Sequence, residues 1–391
     1  MKILVYGAGA IGGYLGAILS EAGEDVTLVA RGAGYDAMAS RGVILEGPKI
    51  GKPDPIKVRA VRPGEEKPPY DLIFVTLKSH QLAGAAQHVR SLGNKDTIFV
   101  FPQNGLPWWY FDGIASKYRG TPLKTLDPEG VLARTFDTAQ IVGGVAFKPT
   151  DVLAPAHIRL ADSPADSLTI GEVDNRMSDR LQTIGNMTSN AGWKGAPVAD
   201  IRKVKWTKLL SNAVWNMLGV ITQATPTQAA RYAPTSALAL AMTHEVIALA
   251  KAAGCTLEVD AGKLVSDVVQ RVSLPSSTLQ DARAGRTLEL GALSDVLLEI
   301  SALTGVAAPN LSVVSACANM VNQRIIEDEA GVRLVKWRKL RRHCWVWLCR
   351  MTAPINRAVQ PILSDAQEGA RQFRHSKPAT WVNSRLLHVT A

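Results

Sequence analysis

Near its N-terminus the chain carries Gly7-Ala8-Gly9-Ala10-Ile11-Gly12, a G-x-G-x-x-G pattern set between an apolar run and a helical one. Residues 2–7 read as a short buried strand. Residues 10–22 carry Ile11, Leu15, Ile18 and Leu19 on one side of a helix, and residues 25–30 read as a second strand. A glycine-rich turn in that βαβ context is built for phosphate. Gly7 permits the tight turn, Gly9 lets backbone approach a pyrophosphate, and Gly12 allows the helix to pack on the strand. The helix N-terminus then turns free N–H groups towards the anion. Residues Gly7, Ala8, Gly9, Ala10, Ile11 and Gly12 are therefore candidate cofactor-binding residues.

The end of the second strand selects the cofactor. An acidic residue there would hold the ribose hydroxyls of NAD, but this strand ends Val29-Ala30-Arg31-Gly32. An arginine suits the 2′-phosphate of NADP, because its planar fork makes two charge-assisted bonds. The sequence thus predicts NADPH, with Arg31 reading its phosphate; a solvated surface arginine is the plainer alternative.

Apolar segments at 72–77 and 97–101 read as further parallel strands, and 140–147 and 167–171 as strands separated by turns. From 201 to 325 the pattern is helical, broken at Gly219, Pro226, Pro234, Gly254, Pro275, Gly285 and Gly305. The expected fold is an α/β Rossmann domain with a parallel sheet over 1–199, then an all-α C-terminal domain over 200–325. A basic, Trp-rich and poorly ordered tail is expected over 326–391. A cleft between the two domains is the natural ligand site.

The net charge of +10 does not describe the body: twelve Lys and Arg stand against Asp365 and Glu368 alone after residue 329, so 1–329 is formally neutral. The charge implies no nucleic-acid partner for the body. The stretch 236–254 is interrupted by His244, Glu245 and Lys251, so no membrane span is expected, and a cytoplasmic location is. Cys255, Cys317, Cys344 and Cys349 lack zinc spacing, and His244-Glu245 is followed by Ala248 where H-E-x-x-H needs histidine, so no metal is expected. The sequence allows a homodimer without specifying one.

In the second half, Lys208, Asn212 and Asn216 stand at i, i+4 and i+8 among Leu209, Leu210, Ala213, Val214, Met217 and Leu218. On a regular α-helix they share a stripe about 80° wide. A lysine and two amides buried without partners are costly, so the stripe should face a polar cavity or ligand, unless it faces solvent.

Taken together, Gly7/Gly9/Gly12, Arg31, Val75-Thr76-Leu77-Lys78, Gln103-Asn104-Gly105, Lys208/Asn212/Asn216 and the run from Ser277 through Arg283 to Glu289 resemble, in order and spacing, the ketopantoate reductases. The resemblance spans about residues 1–325. It implies a C-terminal domain like that of 6-phosphogluconate dehydrogenase. It also implies reduction of 2-dehydropantoate to (R)-pantoate by NADPH, a step towards pantothenate and coenzyme A. By the same resemblance Lys208 is the catalytic acid, and Asn104, Asn212, Asn216 and Ser277 contact the substrate. Glu289 engages the substrate hydroxyl and the lysine network, and Lys78 and Asn104 lie near the cofactor. On the residues alone, Ser277 with Gln280 also fits a capping box, and Glu289 suits the start of a helix. Asn104-Gly105 suits an ordinary turn, and Lys78 a solvated strand end.

Two segments depart from the resemblance. Pro107-Trp108-Trp109-Tyr110, running on to about Asp137, is long and aromatic and is expected to line or cover the cleft. The tail, with four of the nine tryptophans, is expected to take no part in catalysis. The alternatives in function are a dehydrogenase for another branched 2-oxo acid and a non-catalytic NADP-binding protein.

Overall fold

The structure, a computed structural model, describes residues 1–332 apart from Lys49, Gly51, Lys52 and Pro164. The expectations about the tail fall outside the described residues, save for its first few positions. Met1–Arg333 make one compact unit.

Among the described residues, eleven strands form two sheets: β1 Lys2–Tyr6, β2 Asp25–Val29, β3 Ile44–Glu46, β4 Arg59–Val61, β5 Leu72–Val75, β6 Ile98–Phe101, β7 Ile141–Phe147, β8 Thr150–Ala154, β9 His157–Leu160, β10 Ser167–Glu172 and β11 Gly195–Pro197. The large sheet runs β11-β10-β7-β6-β5-β1-β2-β4, with β3-β9-β8 as a small second sheet. All pairs of the large sheet are parallel except β10 with β7. The sequence expectation of a parallel sheet holds for the central strands, and β10 corrects it at one edge. The reason is the short turn-rich route through β8 and β9, which returns the chain without a crossover helix.

The central strands are continuous apolar runs because both faces are covered. In β1, Ile3 and Val5 join one core while Leu4 and Tyr6 join another. The helix Ala10–Glu21 packs on the first through Leu15 and Leu19. The helix Leu82–Ser91 packs on the second through Leu82, Ala86 and Val89.

Beyond residue 200 the described residues are helical, as expected, and share a third core around Trp206, Leu209, Val214, Met242, Val246 and Leu297. The helix Ala233–Ala252 is long and apolar enough to cross a membrane by length and composition. Here it packs in that core, and its Glu245 accepts hydrogen bonds from the backbone N–H of Asn310 (3.0 Å) and Leu311 (2.8 Å), at the start of the helix Pro309–Glu327.

The aromatic segment after Gly105 is packed rather than draped. Trp109, Tyr110 and Phe111 are buried, and Tyr110 and Phe111 belong to the helical core. Trp206 Nε1 donates to Tyr110 Oη at 2.8 Å, and Tyr110 Oη to the Ala253 carbonyl at 3.2 Å. Buried Arg202 donates to the carbonyls of Tyr110 (2.7 Å), Val173 (2.7 Å) and Asp112 (2.5 Å). A guanidinium directs its donors there to loop carbonyls that would otherwise be buried without partners. The segment therefore welds the sheet to the helices.

Candidate active site

The phosphate end is built almost wholly from backbone. Gly7 has φ +108°, and a Cβ on it would meet Leu77 and Thr76. A Cβ on Gly12 would lie 2.3 Å from the Gly7 carbonyl and 2.4 Å from Thr76 Oγ1. Thr76 Oγ1 donates to that same carbonyl at 2.8 Å, which pins the turn to the end of β5. A Cβ on Gly9 would meet nothing within 4 Å, so the turn opens there to free space. Gly9 is the N-cap of Ala10–Glu21 and supplies no side-chain cap, and no acidic residue stands in the first turn. The helix dipole and first-turn N–H groups at Ala10, Ile11 and Gly12 are left for an anion. Arg31, the N-cap of Gly32–Arg41, is exposed. Its guanidinium makes no hydrogen bond or ion pair with any described residue. Open backbone, an uncapped dipole and an unpaired arginine fit a dinucleotide with a 2′-phosphate.

The reacting end is assembled from four separated segments. Lys208 lies on the helix Ile201–Ser211, and its Nζ donates to the Ala146 carbonyl of β7 at 2.5 Å. Burial pulls its pKa down to about 8, and the charge of Glu289 pulls it back up. Glu289 Oε1 accepts from the Ser79 backbone N–H at 2.9 Å. Burial raises the Glu289 pKa, opposed by the Ser79 hydrogen bond and by Lys78. Lys78 Nζ meets Asp281 Oδ2 at 2.5 Å, and the other oxygen of Asp281 accepts from Arg286 Nε at 2.7 Å. Thus Lys78, Ser79, Lys208, Asp281 and Glu289 form one electrostatic cluster where the sheet ends meet the helices.

The expected stripe needs correction. Asn212–Asn216 is a turn of π-helix between Ile201–Ser211 and Met217–Thr222. Its wider i→i+5 turn rotates the succeeding residues by about one residue's step relative to an α-helix. Lys208 therefore turns to β7, while Asn216 is buried and its Nδ2 donates to Thr278 Oγ1 at 3.0 Å. Asn212 lies half-buried between them. A second π turn, Gly291–Asp295, directly succeeds Glu289 and Leu290. Ser277 is also not a cap: Ser276 is the N-cap of Ser277–Arg283, accepting from the Leu279 N–H, and Ser277 is exposed. Asn104 is half-buried, and Gly105 after it takes φ +77°, where a Cβ would also lie 2.0 Å from the Ala292 carbonyl.

Sequence reasoning passed over Lys205. It is buried, and its Nζ donates to the carbonyls of Gln103 (3.0 Å) and Gly144 (2.9 Å). Burial and then the neighbouring Lys208 pull its pKa down to about 7. The position i−3 from Lys208 was the available signal. Sequence reasoning held Asp281 and Gln103 within its motifs but gave them no role; Gln103 Nε2 donates to the carbonyls of Val75 (2.6 Å) and Leu77 (3.0 Å) and so ties two strand ends together. The described residues hold no group of three or more His, Cys, Asp or Glu side chains suited to a metal.

Comparison with known proteins fits this geometry. The family described as ketopantoate reductase PanE/ApbA matches residues 3–175, and its C-terminal counterpart matches 200–322. A 2-dehydropantoate 2-reductase of Mesorhizobium japonicum is 32% identical over 317 residues, covering 81% of this chain and 96% of that one. The crystal structure of 2-dehydropantoate 2-reductase from Geobacter metallireducens superposes with a TM-score of 0.71 at 26% identity, covering 82% and 99% of the two chains. A D-mandelate dehydrogenase bound to NADH and anilino(oxo)acetate shares the fold, with a TM-score of 0.70 at 18% identity over 83% and 99% of the two chains. The shared motifs, the two-part match and the identity make this chain a member of the ketopantoate reductase family, an oxidoreductase of the 2-dehydropantoate 2-reductase type.

Proposed function

We propose that the protein reduces 2-dehydropantoate to (R)-pantoate with NADPH. The observation that carries this reading is Lys208, a half-buried lysine with a pKa near 8, held between a β7 carbonyl and the charge of Glu289. Bound NADPH would supply a hydride to the ketone carbon. As charge develops on the ketone oxygen, Lys208 stabilises it and delivers the proton, a role that suits a pKa close to neutral pH. Glu289 holds Lys208 in its charged form and offers a carboxylate to a substrate hydroxyl. Lys78 and Asp281 tie the sheet to the helices beside it. The side chains of Asn104, Asn212 and Ser277 make no hydrogen bond with any described residue and stand ready for substrate, while Asn216 orients the helix carrying Ser277 through Thr278. Gly7 to Gly12 hold the pyrophosphate, and Arg31 reads the 2′-phosphate.

The test is the decrease in NADPH absorbance with 2-dehydropantoate, run beside NADH and a panel of other 2-oxo acids. Turnover strongest with NADPH and 2-dehydropantoate is the expected result. A clear preference for NADH would remove Arg31 from its role, and turnover of other 2-oxo acids alone would replace the substrate.

A further inference from the structure

A cavity of about 90 Å3, partly open to solvent, lies beside the cluster and is bordered at one side by Ser79 and Glu289. Its walls are mostly apolar: Leu82, Phe101, Leu106, Trp108, Leu132 and Leu288 all line it. The long segment after Gly105 contributes three of these, and Trp108 stacks edge-on against Phe101 at 4.8 Å. The wall has one buried cation, Lys205. Two backbone carbonyls accept from its ammonium, and no carboxylate among the described residues pairs with it. 2-Dehydropantoate, with its small hydroxylated side chain, makes little use of such walls.

We propose that this cavity is a subsite for the side chain of the oxo acid, and that it extends the substrate range to 2-oxo acids with aromatic side chains. The inference rests on the reductase reading above. An aromatic ring satisfies both features of the cavity. It buries apolar area against the leucines and Trp108, and its face attracts the protonated amine of Lys205, which no carboxylate among the described residues pairs with. The chemistry is unchanged: C2 gains a hydride from NADPH and its oxygen gains a proton from Lys208, giving the 2-hydroxy acid and NADP+. Lys205 is a specificity-determining residue in this scheme, touching the ring rather than the reacting carbon.

The experiment compares kcat/KM for 2-dehydropantoate, 3-phenyl-2-oxopropanoate and 3-cyclohexyl-2-oxopropanoate. The wild type should turn over the phenyl acid and prefer it to the cyclohexyl acid by about fivefold or more. Lys205→Met should bring that preference close to one. Ala292→Leu and Leu132→Phe, which narrow the cavity, should each lower the phenyl-to-dehydropantoate ratio by roughly tenfold or more, with NADPH affinity and melting temperature recorded beside it. Turnover of 2-dehydropantoate without the phenyl acid overturns the inference alone, as does a ratio that the narrowing variants leave unmoved. No turnover of any 2-oxo acid overturns the reductase reading and the inference with it. Should the variants fail to fold, the wild-type phenyl-to-cyclohexyl preference decides by itself.

Discussion

The two ends of the site are made in opposite ways. The proposed phosphate end uses consecutive residues, 7–12, and offers backbone N–H groups and absent side chains. The reacting end uses side chains and backbone from residues 78–79, 208, 281 and 289, brought together by the packing of helices on strand ends. A contiguous backbone site tolerates no added atom yet needs no distant support. An assembled site depends on every element that carries a part of it. The first should therefore fail by steric insult, and the second by loss of single charges.

The sharpest way to break this contrast is Lys208→Ala. Loss of a proton donor should lower kcat by about 10²–10⁴-fold, while NADPH affinity, read by fluorescence titration, stays within about threefold. Near-normal turnover would place the donor elsewhere. The wild-type pH profile sharpens the same point. Reduction requires the protonated lysine, so kcat/KM should be level below the pKa of about 8 and fall above it.

At the other end, Arg31→Ala should weaken NADPH by about 1.5–3 kcal/mol, roughly 10- to 100-fold, and leave NADH nearly unchanged. Equal losses for both cofactors would show that Arg31 does not read the 2′-phosphate. Gly12→Ala tests the steric half of the comparison. Its methyl would press on the Gly7 carbonyl at 2.3 Å, so the turn must shift. Destabilisation of about 1–3 kcal/mol is expected, together with loss of NADPH binding. Retention of both would mean that helix and strand can separate without cost.

The smallest effect concerns Lys205, the buried lysine with no carboxylate partner among the described residues. The folded-state pKa of Lys205, about 7, lies below its ordinary 10.5, so the unfolded chain holds this proton to higher pH. Stability should therefore rise with pH between those two values, as unfolding takes up a proton. Lys205→Met should leave the pH 7 melting temperature unchanged or higher and flatten that rise, as replacement of a buried charge by an apolar group of similar size generally does. A melting temperature that falls steeply would show the two carbonyl contacts to be worth more than the desolvation they offset.

The same contrast separates the legible parts of the chain from the illegible ones. The strand-turn-helix at the N-terminus was legible because its pattern and its geometry occupy the same few residues. The strands over 72–77 and 97–101 were legible because burial on both faces demands continuous apolar runs. The register of β10 against β7, and the short β3, β4, β8, β9 and β11, were not. Strands at the sheet edge or in a small second sheet bury little, so they leave a weak hydrophobic signal.

In the second half, sequence alone singled out candidate residues but did not determine where they point. Lys208, Asn212 and Asn216 were marked as polar groups in apolar surroundings and Glu289 by the family resemblance, and the all-helical character after residue 200 came from periodicity. Only the tertiary structure decided that a π turn succeeds Lys208 and another succeeds Glu289. Only it decided that Lys78 meets Asp281 across 203 residues, and that Lys205 is buried without a carboxylate partner among the described residues. The physical reason is range. Periodicity and turn chemistry act over a few neighbouring residues, whereas the added residue of a π turn, an ion pair between elements and the burial of a charge are stabilised by what packs against them.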